Sequence, residues 1–462
     1  MTRSSRERVA VLLYGSRGDI QPGVCLALEL QRRQVGVTVL VPPNLVDFAR
    51  SAGVRSVTAI GMDTAAAWSS EAAEAARRSR NPLRRAIFAV STVRTGYRAF
   101  DDALVAQFLA GGSLAEVGSL VVAPLCQDRG LALSERLGIP LTVLRYGPMS
   151  ENGVVGPVPG LTDNWTPTWK RRAWCVADRL TWLVTGWNEN AFRRRLGLPP
   201  ARRPLPIRLA GLGVPQIQAY DEVLVAGLAE EFGQRRPVVG YLELPPDART
   251  RLRRLARSAG DAASGTVGES SELEDWLNRG EPPVFITFGS MPISDPDAVI
   301  AHVRTAARRH GMRCLFGLGE RRGTDPGDPD FFYVGDVDHP WILPRCQAIV
   351  HHGGAGTTAA ALRAGLPMLI CSVTADQPFW GARVRELGVG DHMRYRTLTA
   401  DALAAGLAVL ARDSVRAAAA KLSERMTPAA VAVGAAADIV MSGTRVPSCA
   451  PMAWLGTRAP AG

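Results

Sequence analysis

Two stretches of the chain share one hydrophobic rhythm: a short apolar run, a glycine-rich break, an amphipathic run and a second apolar run. In the first stretch Val9 to Tyr14 is apolar and Gly15-Ser16-Arg17-Gly18-Asp19 interrupts it. Pro22 to Arg33 then has helical spacing, and Val35 to Val41 is apolar again up to Pro42-Pro43. Strand, helix and strand within about forty residues predict a βαβ unit and therefore a parallel sheet. Further strands are expected at Leu120–Ala123 and Leu141–Leu144, with a helix at Leu131–Leu137 between them. Gly147 to Pro167, rich in Gly, Pro and Asn, reads as a loop, and the prolines of 198–206 break the chain again.

The rhythm lapses between Pro245 and Ser271, a stretch that opens Pro-Pro, runs through an arginine-rich segment and ends in Gly, Ser, Ala and Asp. It reads as a partly helical, partly flexible linker. The pattern then restarts: Val284–Phe288 as a strand, Gly289 to Pro292 as a loop, and Asp297–Gly311 as a helix. Strands follow at Cys314–Leu318, Phe331–Val334, Ala348–Val350 and Met368–Ile370. Each half thus opens with an apolar strand running into a Gly-Ser loop, Gly15-Ser16 and Gly289-Ser290. The expected fold class is α/β, with two Rossmann-like domains whose parallel sheets face each other across a deep cleft. Ligands bind beyond the carboxyl ends of such strands, where both Gly-Ser loops fall. The expected organisation is 1–240 as the first domain, 241–275 as linker, 276–425 as the second domain, and 426–462 as a helix returning to the first domain plus a frayed tail.

Composition changes this picture little. The 462 residues can bury two or three cores. The net charge of +11 comes mostly from arginine. No basic stripe interleaved with aromatics runs along the chain, so nucleic acid is not an expected partner. The arginine excess fits high-GC codon usage, with an anionic substrate or membrane surface as the other reading. Seven cysteines, an odd number without a Cys-x-x-Cys pair, fit buried free thiols in a reducing cytoplasm. The first apolar run stops at Gly15, too soon for a signal peptide, and no uncharged stretch reaches membrane-spanning length. A cytoplasmic location is expected, with peripheral contact at the inner membrane face as an open option.

The most chemical segment is His351-His352-Gly353-Gly354-Ala355-Gly356-Thr357-Thr358, set between the apolar run Ala348–Val350 and a helix-like alanine-rich stretch. A strand, a glycine turn and a helix start present bare N–H groups and a helix dipole to an anion. Asp376-Gln377 follows a further apolar run and could hold hydroxyls. Its other reading is a helix cap before Pro378. All six histidines lie in the second half, so a general base from the first domain cannot be histidine. Asp19, in the first Gly-Ser loop, is the candidate, and a cap for a helix starting near Gln21 or Pro22 is its alternative role. Asp128, in a loop after a strand, is a second candidate. Three Asp-x-Asp pairs, Asp295/Asp297, Asp328/Asp330 and Asp336/Asp338, sit among turn residues and read as turns. Trp165, Trp169, Trp174, Trp182 and Trp187 cluster around Lys170-Arg171-Arg172. They read as an apolar acceptor mouth or a membrane-touching patch, or else as a buried helix with an exposed basic side.

His352-Gly353-Gly354-Ala355-Gly356-Thr357 followed by Asp376-Gln377-Pro378 resembles the donor motif of family 1 glycosyltransferases of the GT-B fold. Gly15-Ser16-Arg17-Gly18-Asp19-Ile20-Gln21-Pro22 resembles the N-terminal loop of its bacterial and sterol-type members. Gln216 to Asp221 and Arg235 to Gly240 look like the actinobacterial subgroup, which includes transferases for glycopeptide antibiotics, glycopeptidolipids and phenolic glycolipids. The resemblance runs from about Val9 to Met441. It implies a nucleotide sugar, UDP- or dTDP-linked, held by the second domain. His352, Thr357 and Ser290 would contact the diphosphate, Gly354 and Gly356 would keep the backbone bare, and Asp376 and Gln377 would hold the sugar. It also implies an inverting reaction without metal or other cofactor. Asp19 stands where many relatives carry histidine. Plant members place an aromatic residue and a glutamine where Val334 and Val337 stand, so backbone groups around Val337 are expected to read the base. Trp165 and Trp169 are weaker candidates for contact with a lipophilic acceptor such as an antibiotic aglycone. The acceptor could equally be a cell-envelope glycolipid or sterol. An epimerase of the same fold and a non-catalytic sugar-nucleotide-binding partner protein are the other functional readings.

Overall fold

The computed structural model describes residues 8–69, 96–109, 111–260, 271–289, 295–318, 323–335, 337–374 and 376–444. Ser290, Asp336 and Cys449 lie outside the described residues. The first sheet contains β1 (Arg8–Leu12), β2 (Gly36–Val41), β3 (Val57–Ala59), β4 (Ser119–Val122), β5 (Leu141–Arg145) and β6 (Gln216–Gln218). Its order is β3-β2-β1-β4-β5-β6, with every pairing parallel. The second sheet is built from β7 (Val284–Thr287), β8 (Cys314–Gly317), β9 (Gly323–Asp325), β10 (Asp328–Tyr333), β11 (Ala348–His351), β12 (Met368–Ser372) and β13 (Gly390–Arg394). Its order is β13-β12-β11-β7-β8-β10-β9, parallel except for β9 at the edge.

Alternation along each central strand fixes the layers. Val9 and Val11 of β1 enter one hydrophobic cluster, and Ala10 and Leu12 enter the cluster on the opposite face. In β11, Ile349 faces one core while Ala348 and Val350 face the other. Strands buried on both faces read as continuous apolar runs, which is why the sequence shows them clearly. In each sheet the winding reverses beside the first strand of its half, between β1 and β4 and between β7 and β11. Those reversals open the crevices at the carboxyl ends where ligands lodge in doubly wound sheets.

Three helices depart from the expected pattern. Helix α1 (Arg17–Arg32) begins at Arg17, with Ser16 as N-cap, and carries Pro22 inside it. Asp19 is therefore a first-turn residue, not a loop residue. Helix α2 (Gln127–Leu137) likewise starts early enough to include Asp128. The tryptophan-rich stretch is one 29-residue helix, α3 (Pro167–Arg195). The arginine-rich stretch forms α4 (Pro246–Gly260), laid against the short helix Val46–Ala52, where Arg251 donates to the Ala52 carbonyl at 2.7 Å. The second domain adds α5 (Pro296–Arg309), α6 (Ala355–Arg363), α7 (Gln377–Glu386) and α8 (Ala400–Leu410). The last described helix, α9 (Ala429–Thr444), returns to α1 and buries Ala432, Ala436, Ala437 and Val440 in the core beside β1 and β2.

Candidate active site

The first crevice is shaped by Gly15, Ser16 and Asp19. One oxygen of Asp19, Oδ2, accepts from the Ser16 N–H at 2.7 Å and from Ser16 Oγ at 2.8 Å, closing a capping box at the start of α1. Gly15 has φ +126°, and a Cβ there would lie 2.4 Å from Asp19 Oδ2. The turn therefore admits only glycine if the carboxylate is to stay in place. Burial raises the Asp19 pKa above the ordinary aspartate value, and the two Ser16 hydrogen bonds partly oppose it. The capping role is the one the contacts show: one oxygen serves the helix start, in a carboxylate that is poised upward in basicity.

Asp128 has a different environment. Its Oδ1 accepts from the Arg129 N–H at 2.8 Å and its Oδ2 pairs with the Arg129 guanidinium. Arg129 is buried and also donates to Asp101 at 3.0 Å. Asp128 is thereby committed to an ion-pair network at the start of α2. Tyr146, which the sequence reading missed, follows β5 directly; its hydroxyl is buried with no hydrogen-bond partner among the described residues, and Asp19 is among the charges acting on it. Only its position just past a strand end could have marked it in the sequence.

The second crevice holds the histidine-glycine loop. His351 closes β11 fully buried, and its Nδ1 accepts from the Gly353 N–H at 3.1 Å. It is a strand-end packing residue. His352 turns the other way and wedges between two glycines: a Cβ on Gly354 would meet its Nε2 at 2.5 Å, and one on Gly289 would meet its Cε1 at 3.2 Å. Its Nδ1 is buried with no partner among the described residues. Burial lowers the His352 pKa to about 4, with His339 adding to the effect, so the ring is neutral near pH 7. Gly354 is the N-cap of α6, leaving the first-turn N–H groups of Ala355, Gly356 and Thr357 aimed at the crevice. Thr358 bonds back to the Gly354 carbonyl at 3.0 Å, whereas Thr357 is half-exposed. A Cβ at Gly356 would meet nothing within 4 Å, so that position borders open space.

Asp376 is the N-cap residue of α7 by position, yet its side chain does not cap. Its Oδ2 accepts from the indole Nε1 of Trp380 at 2.7 Å instead. Trp380 is fully buried and packs against Phe379, Tyr220 and Tyr241. Gln377 Oε1 accepts from the Val373 and Thr374 N–H groups at 2.8 and 3.0 Å, stapling the loop before α7. Burial raises the Asp376 pKa, and the charge of Asp19 adds to that rise. The chain after β5 of the first domain reaches Asp376: a Cβ on Gly147 would stand 3.5 Å from Trp380 and 3.8 Å from Asp376 Oδ2.

Val337 is half-buried against the second-domain core, next to Asp338, which faces Arg249 of α4 at 3.5 Å. Asp295 caps α5 by accepting from the Ala298 N–H, and Asp328 accepts from the Asp330 N–H. These are turn and cap roles. Among the described residues no group of three or more His, Cys, Asp or Glu side chains is arranged to hold a metal ion. Trp165 and Trp169 are exposed, with Arg172 stacked over Trp169 at 4.9 Å.

Two sheets with crevices facing each other are a frame shared by many proteins, and comparison with known ones narrows it. Residues 330–440 match the family described as erythromycin biosynthesis protein CIII-like, C-terminal domain. An uncharacterised glycosyltransferase of Mycobacterium tuberculosis is 36% identical over 447 residues, covering 95% of this chain and 99% of that protein. It belongs to the family 1 glycosyltransferases. The O-mycaminosyltylonolide 6-deoxyallosyltransferase of Streptomyces fradiae is 31% identical over 392 residues, covering 82% of this glycosyltransferase and 84% of that one. Among solved structures, the kitacinnamycin glycotransferase superposes with a TM-score of 0.64 at 16% identity, over 94% of this chain and 98% of that one. The glycosyltransferase VinC, solved with DTDP, gives 0.60 at 17% identity, over 95% and 100%. These structural likenesses establish the GT-B fold of this glycosyltransferase.

Proposed function

We propose that this glycosyltransferase moves a hexose, with inversion, from a UDP- or dTDP-sugar to a hydroxyl of a lipophilic natural product. The observation that carries the reading is the open helix start of α6 beside neutral His352, packed against the Asp376-Gln377 segment, where a Cβ on Gly353 would stand 3.3 Å from Gln377 Cβ. The second domain would hold the donor. The Ala355–Thr357 N–H groups, the Thr357 hydroxyl and neutral His352 would take the diphosphate, with Ser290 alongside, and groups around Val337 would take the base. Asp376, oriented by Trp380, would accept hydrogen bonds from sugar hydroxyls. An acceptor hydroxyl placed near Asp19 gives up its proton to the carboxylate as its oxygen attacks the anomeric carbon. The bond from that carbon to the diphosphate oxygen breaks, and the leaving charge is met by the helix dipole and fixed donors. Attack opposite the leaving group inverts the anomeric centre.

The Streptomyces relative named for a deoxyallosyl transfer to a macrolide supports the natural-product reading. A sterol 3-beta-glucosyltransferase of Arabidopsis thaliana, 28% identical over 400 residues, keeps a glycolipid or sterol acceptor as the second reading. No metal is required in this scheme, and EDTA is expected to leave transfer unchanged.

Thermal shift against a panel of UDP- and dTDP-sugars, followed by transfer assays with the stabilising donor, tests the proposal. Asp19→Asn is expected to lower turnover by about 10²–10⁴-fold, the usual worth of a general base, with donor affinity kept. Unchanged turnover removes Asp19 from the mechanism. Conversion of the donor without any acceptor would favour an epimerase, and binding without turnover a partner protein.

A further inference from the structure

Helix α3 carries apolar side chains on the wrong side for a core helix. Its inward face holds Trp174, Glu189 and Phe192. Its outward face holds Trp169, Val176, Leu180, Leu183, Val184 and Trp187, with Leu183 71% and Val184 67% exposed. At 100° per residue these six fall within about 100° of one another, and they run for about 27 Å along the axis at 1.5 Å per residue. Scattered exposed leucines need no explanation, whereas a continuous row marks an interaction surface. The sequence reading of a buried helix with an exposed basic side is therefore corrected.

Charge says what covers this face. Arg172 and Arg179 flank the apolar row, and Arg194 continues it toward the helix end. The two acids of the helix turn away: Glu189 is buried against Arg208, and Asp178 is half-buried on the opposite side of the helix from the row. Where the row ends at Trp187, a recess of about 410 Å³ is lined by Arg98, Arg194, Arg195 and Asn188. Asp101 also borders it, with its carboxylate engaged by Arg129, and Arg195 is paired with the exposed carboxylate of Asp102 at 2.6 Å, so Arg98 and Arg194 are the cations this recess offers an anion. Tryptophans at both ends, arginines beside the row and no outward acid form the pattern of a helix lying in a bilayer interface. At the other end, exposed Trp165, Leu161 and Val158 carry the apolar surface into the 147–166 loop, whose Gly147 borders Asp376.

We propose that α3 seats this protein on a bilayer containing anionic lipid, its apolar row sunk among the acyl chains and Arg98 and Arg194 of the recess taking a lipid phosphate. Docking does not depend on the transfer chemistry. Its consequence for the acceptor rests on the proposed function: an acceptor dissolved in the membrane would enter the cleft along the Trp165 to Gly147 path.

Flotation of the full chain with vesicles of phosphatidylcholine, with and without about 30 mol% phosphatidylglycerol, tests the docking. The wild type is expected to float with the anionic vesicles. Leu180→Glu/Leu183→Glu is expected to lower its partitioning by at least about tenfold. Arg98→Gln/Arg194→Gln is expected to weaken binding to anionic vesicles and flatten its salt dependence. Nucleoside diphosphate should stabilise every variant as it does the wild type, which reports an intact fold separately from docking. Failure of the wild type to float overturns the proposal, as does equal flotation of the leucine variant. A wild-type dimer made monomeric by the leucine variant also overturns it, because the face would then belong to a second copy.

Discussion

Trp380 shows how a residue away from the motif can decide its geometry. An aspartate at a helix start ordinarily turns to cap the backbone. Here the indole N–H, one helical turn on, captures that carboxylate and holds it at the cleft. Trp380→Phe removes one charge-assisted hydrogen bond, worth about 1.5–3 kcal/mol in general, and part of a buried ring. Donor KM is expected to rise by about tenfold or more, with melting temperature lowered by several degrees while the enzyme still folds; steady-state kinetics with donor varied, beside a melting curve, reads this. His352 carries a pH signature. It protonates near 4 when folded and near 6.5 when free, so between those values the unfolded chain binds more protons. Stability gained from this group is therefore present above pH 6.5 and lost as pH falls toward 4. Asp19 and Asp376 act in the opposite sense, since their raised values favour the folded state at low pH and penalise it as pH rises. Melting temperature against pH should have a shallower acid slope in His352→Gln, and Asp376→Asn should be more stable than wild type near pH 7 while transferring poorly.

At the scale of elements, two glycines set the two loops. Gly354→Ala drives a methyl group to within 2.5 Å of His352 Nε2, and Gly15→Ala does the same to Asp19 Oδ2 at 2.4 Å. The first is expected to weaken nucleotide binding, the second to lower turnover while donor binding is kept. Gly356→Ala meets open space, so it should fold normally and lose only donor affinity, which calorimetry with nucleoside diphosphate would read. The alternation of β1, β7 and β11 and the glycine turns after them were legible because fully buried strands and left-handed turns leave strong local signals. The start of α1 was misplaced because Pro22 looks like a first helical residue, while the Ser16–Asp19 capping box, a weaker signature, marks the true start. The outward row on α3 was not legible either. Periodicity shows that a helix has an apolar side but not which side meets the core, and only the burial of Trp174, Glu189 and Phe192 settles it. Trp380 was missed although it stands one helical turn after Asp376, because that spacing suits plain packing as well as a hydrogen bond; Tyr146 was missed because its surroundings come from other segments.

For the whole molecule, the path of the chain matters more than either sheet. It leaves the first domain through Gly240 and α4 and comes back through Thr427 into α9. The two crossings are fastened to each other: a Cβ on Gly240 would press Thr427 at 2.8 Å, the Thr427 N–H donates to Asp221, and Arg363 pairs with Glu243 while donating to the Thr427 carbonyl. Truncation before Ala429 removes Ala432, Ala436, Ala437 and Val440 from the core beside β1. The N-terminal domain, although every one of its strands remains, should then lose cooperative unfolding in calorimetry.

The returning helix α9 also sets the rule for recombining this enzyme with its relatives. The second domain is an insert with two seams, not a tail with one. A hybrid that takes everything after the linker from a relative also imports a foreign α9 against α1, and is expected to be insoluble or low-melting. A hybrid rejoined to the parental chain just after Thr427 keeps its own α9 and should express as a folded protein with the relative's donor preference. Comparing soluble yield and donor profile between the two hybrids of one pair would read the difference.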